Sequence, residues 1–174
     1  MNDTLPTIYI SLLLGILAIT AIVVFQQVIK TRLSENKFSR LQKKLKQEAG
    51  TSQEYYELAS LYLDKKLFVQ AVSLLQRALK DKKLESENQA LIHNALGYAY
   101  FAQEQYDIAI RQYKEALKLY PEYVVAFNNL GNVYERKQLS VQALEAYDKA
   151  LEYEPNNSTA KRRAESLRKR LVTS

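Results

Sequence analysis

The sequence predicts an all-α chain: an N-terminal membrane-spanning helix, a basic helical stalk, and an α-solenoid of helix pairs closed by a last helix. Three observations predict it. Residues 4–29 carry no charge. Residues 90–157 repeat themselves at an offset of 34, the length of two helices with their turns. The 174 residues include only four Gly and three Pro, which leaves little punctuation beyond short turns.

The uncharged stretch is 26 residues long, and Ile8 to Phe25 is almost unbroken Ile, Leu, Val, Ala and Tyr. As a helix it spans roughly 39 Å, against a hydrocarbon core of about 30 Å. In lipid only a helix satisfies the backbone polar groups of such a segment. Ser11 and Gly15, four apart, offer a small-residue contact face. A cleaved secretory signal would carry a basic leader, a shorter apolar run and a small-x-small site. Here the leader holds Asp3 and no Lys or Arg, and the run is longer, so 1–29 is read as an uncleaved anchor. Lys30, Arg32, Lys37, Arg40, Lys43, Lys44 and Lys46 follow it, which places them on the cytoplasmic or stromal side.

Residues 30–50 form the stalk. Leu33, Phe38, Leu41 and Leu45 make a ragged apolar stripe among the cations. Two readings stand side by side: contact with anionic lipid headgroups, and a topology signal continued as a solvated spacer. Gly50 is expected to stop the stalk helix, and Thr51 with Glu54 to open the next as a capping box.

Within the repeat, Leu96, Gly97, Tyr100, Ala109, Tyr113, Ala116 and Pro121 recur as Leu130, Gly131, Tyr134, Ala143, Tyr147, Ala150 and Pro155. This pattern resembles the tetratricopeptide repeat, a helix–turn–helix unit, and the resemblance implies a right-handed solenoid. Small residues let helices A and B approach, tyrosines supply buried area, and each Pro closes its unit. The same template upstream yields a degenerate unit with Leu58, Ala59, Tyr62, Ala71, Leu75 and Ala78, where Ala59 replaces the Gly and no Pro follows. The residues 51–157 thus hold three repeats, 52–85, 90–123 and 124–157, with 86–89 as an irregular join. Helices A are expected over about 52–65, 88–102 and 122–136, and helices B over about 68–81, 106–119 and 140–153. Ser86 and Gln89 make a second candidate capping box. Asn157 or Ser158 is expected to cap a final helix reaching about residue 171, with Ala160, Ala164, Leu167 and Leu171 on one face.

Charge and composition narrow the function. Segments 1–51, 52–157 and 158–174 carry net charges of +4, −3 and +5, so a slightly acidic body lies between basic ends. That is unlike a nucleic-acid binder, and no specific nucleic acid is expected as a partner. The chain lacks Cys and has one His, His93, which excludes disulfides, thiolate chemistry and Cys- or His-rich metal sites. His93 falls where the repeat usually places a large packing residue. There is no phosphate loop, HExxH or nucleophile elbow, so no enzyme and no cofactor are expected. An excess of Phe, Tyr, Met, Ile, Asn and Lys over Gly, Ala, Arg and Pro suits an AT-rich organelle genome.

The resemblance also implies a binding groove on the concave face. Its groove positions correspond here to Gln53, Tyr56, Ser60 and Leu63, then Leu91, Asn94, Tyr98 and Phe101, then Val125, Asn128, Asn132 and Glu135. Asn94 and Asn128 are spaced to hydrogen-bond an extended peptide, with Tyr56, Tyr98 and Phe101 as rigid contacts. The alternative is that these side chains are solvated or hold helices together. Chaperone-tail readers of the family grip a terminal carboxylate with cations, but the matching positions here carry Tyr56, Ser60, Ala95, Val125 and Asn129. Lys161, Arg162, Arg163, Arg168, Lys169 and Arg170 crowd the final segment, 158–174, read as a polar cap and alternatively as a docking patch for an acidic partner or lipid.

Anchor, stalk and three repeats in a chain of this length resemble the photosystem I assembly-related tetratricopeptide proteins of cyanobacteria and algal plastids. That resemblance implies a non-catalytic, single-pass protein of the thylakoid membrane with its repeats in the stroma or cytoplasm. Its partners would be photosystem I subunits or assembly factors, with membrane lipid contacted through anchor and stalk. The alternative is an N-anchored docking receptor for precursors or chaperones at another membrane.

Overall fold

The computed structural model describes residues 4–173, with side chains from Ile8 to Val172. The N-terminal leader with Asp3 and the last residue of the cap segment, Ser174, lie outside the described residues. The described chain divides into two units, residues 1–47 and 48–174.

The first unit is one helix, α1 (Thr4–Gln47), of 44 residues. The apolar stretch and the basic stalk, read separately in the sequence, run together because no residue between them interrupts the hydrogen-bond ladder. Side chains from Ile8 to Phe25 are exposed, and among the described residues α1 alone is long and apolar enough to cross a bilayer. Gly50 does not stop it: α1 ends at Gln47, and no glycine has positive φ. The Gly50 N–H instead donates to the Tyr55 hydroxyl at 3.3 Å.

The second unit is built of antiparallel helix pairs: α2 (Ser52–Asp64) with α3 (Phe68–Ala78), α4 (Ser86–Ala102) with α5 (Tyr106–Leu119), and α6 (Val124–Arg136) with α7 (Ser140–Tyr153). The single helix α8 (Ser158–Thr173) packs on α7. Thr51 opens α2 with both bonds of the capping box: the Glu54 N–H donates to its hydroxyl at 3.2 Å, and its own N–H donates to the Glu54 carboxylate at 3.1 Å. The Ser86–Gln89 box does not form. Ser86 is already helical, and the Gln89 amide donates to the Leu84 carbonyl at 2.7 Å.

Tyr120 and Glu154, the residues before Pro121 and Pro155, are extended at φ −136° and −128°, as the proline ring requires, and they end α5 and α7. The first pair has no such Pro, and α3 stops three residues short of the expected 81. There the Asp81 carboxylate accepts from the Lys83 N–H and the Ser52 hydroxyl, both at 3.0 Å, and draws the chain out of the helix. These bonds hold the Asp81 pKa below the usual carboxylate value, the Lys83 N–H first. At the other turns, Lys66, Glu104 and Gln138 adopt φ of 58°, 60° and 61°, and the N–H of each following residue closes back on Tyr62, Tyr100 or Tyr134.

The small-residue logic is visible in atoms. A Cβ on Gly97 would lie 2.5 Å from Tyr113 Cε1, and one on Gly131 would lie 2.7 Å from Tyr147 Cζ. Tyr113 and Tyr147 are each 1% exposed. In the first pair the same two places hold Ala59 and Leu75, both fully buried. The extra methyl and the smaller side chain compensate each other. Helix α8 occupies the place of a further helix A: Ala160, Ala164 and Leu167 are buried 34 residues after Ala126, Leu130 and Val133. Asn157 caps it, accepting from the Ala160 N–H at 3.0 Å.

Candidate protein-binding groove

Helices α2, α4 and α6 lie side by side and supply the expected groove residues. Five of them, Tyr56, Ser60, Leu63, Asn94 and Tyr98, line one cavity of about 510 Å³ together with Asp64, Lys66, Ala95 and Asn129. Tyr98 is 45% exposed and is steadied from behind by the Phe68 ring, 6.3 Å away and edge-on. The floor is polar and neutral. Asn129 Nδ2 donates to Asn94 Oδ1 at 2.9 Å, and Asn94 in turn hydrogen-bonds the Tyr123 hydroxyl. Burial pushes the Tyr123 phenol up to about 12, against the opposing pull of that bond. The two charged lining residues, Asp64 and Lys66, have opposite signs. An amide pair retains donors and an acceptor beyond its internal bond, the complement of a peptide unit.

The other expected positions lie elsewhere. Leu91 faces a pocket of about 30 Å³ shared with Gln53, Tyr56 and Leu84. Phe101 turns onto Tyr106, ring centroids 5.8 Å apart, and packs against the core around Tyr113 and Leu130. Val125 is exposed and Asn132 half-buried, both outside the cavity. Asn128 lies outside that cavity: its Nδ2 donates to Asn157 Oδ1 at 3.2 Å, the counterpart one period on of the Asn94–Tyr123 bond, and its own Oδ1 is buried without a partner. Glu135 accepts from the Tyr147 hydroxyl at 2.8 Å and pairs with Arg170 at 3.2 Å and Arg163 at 3.7 Å. Burial, then this hydrogen bond, raises the Tyr147 pKa.

The expected basic tail is therefore partly spent on the fold. Arg163 and Arg170 hold Glu135, and Arg168 pairs with Asp148 at 2.6 Å, while Lys161, Arg162 and Lys169 are exposed. His93 places Nδ1 2.8 Å from Gln112 Oε1, linking α4 to α5. Asp64 and Lys66 were not anticipated, and Asn129 only as a position matching the carboxylate grip of the chaperone-tail readers. Asn129 stands 35 residues after Asn94, one step off the period, so aligning repeats matched Asn94 with Asn128 instead.

Helix pairs with a shared concave face define a class: this is a tetratricopeptide-repeat protein, a protein-interaction module. The model of the TPR repeat matches residues 97–138, and that of the tetratricopeptide repeat matches 124–157. The chain belongs to the family of the ycf37 proteins. It is 41% identical to ycf37 of Cyanophora paradoxa, over 79% of this chain and 80% of that one. It is 34% identical to PYG7, a chloroplast tetratricopeptide repeat domain-containing protein of Arabidopsis thaliana, over 94% of this chain but 54% of that longer protein. Among solved folds, MamA superposes with a TM-score of 0.69 at 24% identity, over 79% of this chain and 80% of its own.

Proposed function

We propose that this protein is a membrane-anchored interaction module that assists assembly or stability of photosystem I at the thylakoid, with its repeats on the stromal or cytoplasmic side. The supporting observation is the chloroplast relative, which aligns along nearly the whole chain. Helix α1 serves as the anchor and the Tyr56–Tyr98 cavity as the docking groove. Its ligand is an extended, uncharged peptide segment of a subunit or assembly factor. The amide pair engages peptide groups, and the two tyrosines offer rigid aromatic contact at little entropic cost. A lining with one cation and one carboxylate favours an internal segment over a terminal carboxylate.

Deleting the gene should lower photosystem I relative to photosystem II and leave import of unrelated proteins unchanged; an unaltered ratio of the photosystems overturns the proposal. Replacing Tyr98→Ala together with Asn129→Ala should weaken capture of photosystem I subunits about 30-fold, the cost of a binding hot spot. Undiminished capture by a folded double variant moves docking away from this groove, and recovery of precursor presequences instead favours a receptor.

A further inference from the structure

The turns between helices A and B follow one another along one edge of a solenoid. Two of the three carry the same pattern, Lys65-Lys66-Leu67-Phe68-Val69 and Lys137-Gln138-Leu139-Ser140-Val141. In both, the last position is an aliphatic side chain turned out to solvent: Val69 is 69% exposed and Val141 57% exposed, and Leu67 beside the first is 39% exposed. Lys66 and Arg136 are exposed next to them. The intervening turn contributes Asp107, whose carboxylate is paired with Lys137 from the third turn. Asp64 and Glu104 are the other acids along this edge.

Two separated aliphatic knobs flanked by cations fit a flat surface better than a pocketed partner. We infer that this edge rests on an anionic lipid surface, Val69, Leu67 and Val141 entering the headgroup region and Lys66 and Arg136 facing lipid phosphates. Short apolar side chains bounded by basic ones are suited to the interface, where they dip while the cations stay hydrated. The Lys137–Asp107 pair is neutral as a whole, so the edge's excess positive charge comes from Lys65, Lys66 and Arg136 against Asp64 and Glu104. The inference rests on α1 being a membrane anchor. A tether converts the contact into an intramolecular one, so modest affinity suffices.

The chain has no cysteine, so Val69→Cys, Val141→Cys and Lys118→Cys each provide one labelling site in the full-length protein. Lys118, at the far end of α5, has a 76% exposed side chain and serves as the reference. Each variant is labelled with an environment-sensitive fluorophore and reconstituted into phosphatidylcholine vesicles containing phosphatidylglycerol and a headgroup-level spin-labelled lipid. Emission should be lost at 69 and 141 and retained at 118. Adding Lys66→Glu and Arg136→Glu should shift the contact toward detachment about fivefold per cation removed, and more for the reversed sign. Equal quenching at all three sites, on chains that stay with the vesicles through carbonate washing, overturns the edge contact and leaves the anchor standing. Release of the chain by carbonate overturns the anchor, and the edge contact with it.

Discussion

The exchange between Gly97–Tyr113 and Ala59–Leu75 predicts a coupled pair of mutations. Gly97→Ala sets a methyl 2.5, 2.7 and 2.8 Å from three atoms of the Tyr113 ring. At 1% exposure between α4 and α5, that ring has no free side to swing toward. Overpacking of this kind costs about 3 kcal/mol at the upper end of its range, and Ala regains about 1 kcal/mol of helix propensity over Gly. The expected net loss is therefore about 2 kcal/mol. Tyr113→Leu alone removes ring volume beneath a glycine and should cost about 3 kcal/mol as a cavity. Joined, the two substitutions rebuild the arrangement of the first pair, in which Ala59 and Leu75 are fully buried. The double variant should then be more stable than the sum of the singles by about 2 kcal/mol, within the span of contacting residues. Urea unfolding of the 48–174 unit, followed by far-ultraviolet circular dichroism, measures all four corners of the cycle. Additivity within about 0.5 kcal/mol would refute the pairing.

The left-handed turn residues supply a second expectation. Glu104→Gly and Gln138→Gly should each raise stability by roughly 0.5–1 kcal/mol, because φ near 60° burdens any residue with a Cβ; unchanged urea midpoints would contradict that conformation. Alkaline pH supplies a third. Burial first, and for Tyr147 the bond to Glu135 next, raises the phenol pKa values of Tyr113, Tyr123 and Tyr147 above the ordinary 10. The folded state thus favours the neutral phenol. This stability is fully present below pH 10 and is lost as pH rises from 10 through about 12, the folded value of Tyr123. Helix content should fall together with the appearance of tyrosinate absorbance in that window, and full ionisation with helices intact would oppose it.

The helical architecture was legible because its determinants recur at a fixed distance. Gly97 and Gly131 each face a Tyr sixteen residues later, and even the degenerate first pair keeps the relation with Ala59 and Leu75. Prolines mark two helix ends through pre-proline sterics, and Thr51 with Glu54 marks a start through two reciprocal bonds. What escaped were contacts whose spacing is not the period. The Asn94–Asn129 bond joins neighbouring repeats at slightly different heights. Asn128 repeats the Asn94–Tyr123 bond with Asn157, also 29 residues on, but Arg163 of α8 stands in the place of Asn129 and pairs with Glu135. Gly50 and the Ser86–Gln89 pair have the right residue types, but the Gly50 N–H and the Gln89 side-chain amide find other partners. Glu135 sits at a groove register, yet the arginines of α8 claim it. Long-range competition for hydrogen bonds decides these cases, and no local window of sequence contains it.

Helix α8 is seated by Ala160, Ala164 and Leu167 as any helix A is seated, but Glu165 stands where Gly97 and Gly131 receive a helix B. The chain therefore separates two instructions: the inner face of α8 says continue, and its outer face says stop. A 34-residue unit inserted ahead of Ser158 would meet the same inner face and hand the same outer face to water. Groove length is thus a modular variable of this fold, open to change by duplication ahead of α8 without altering α8 itself.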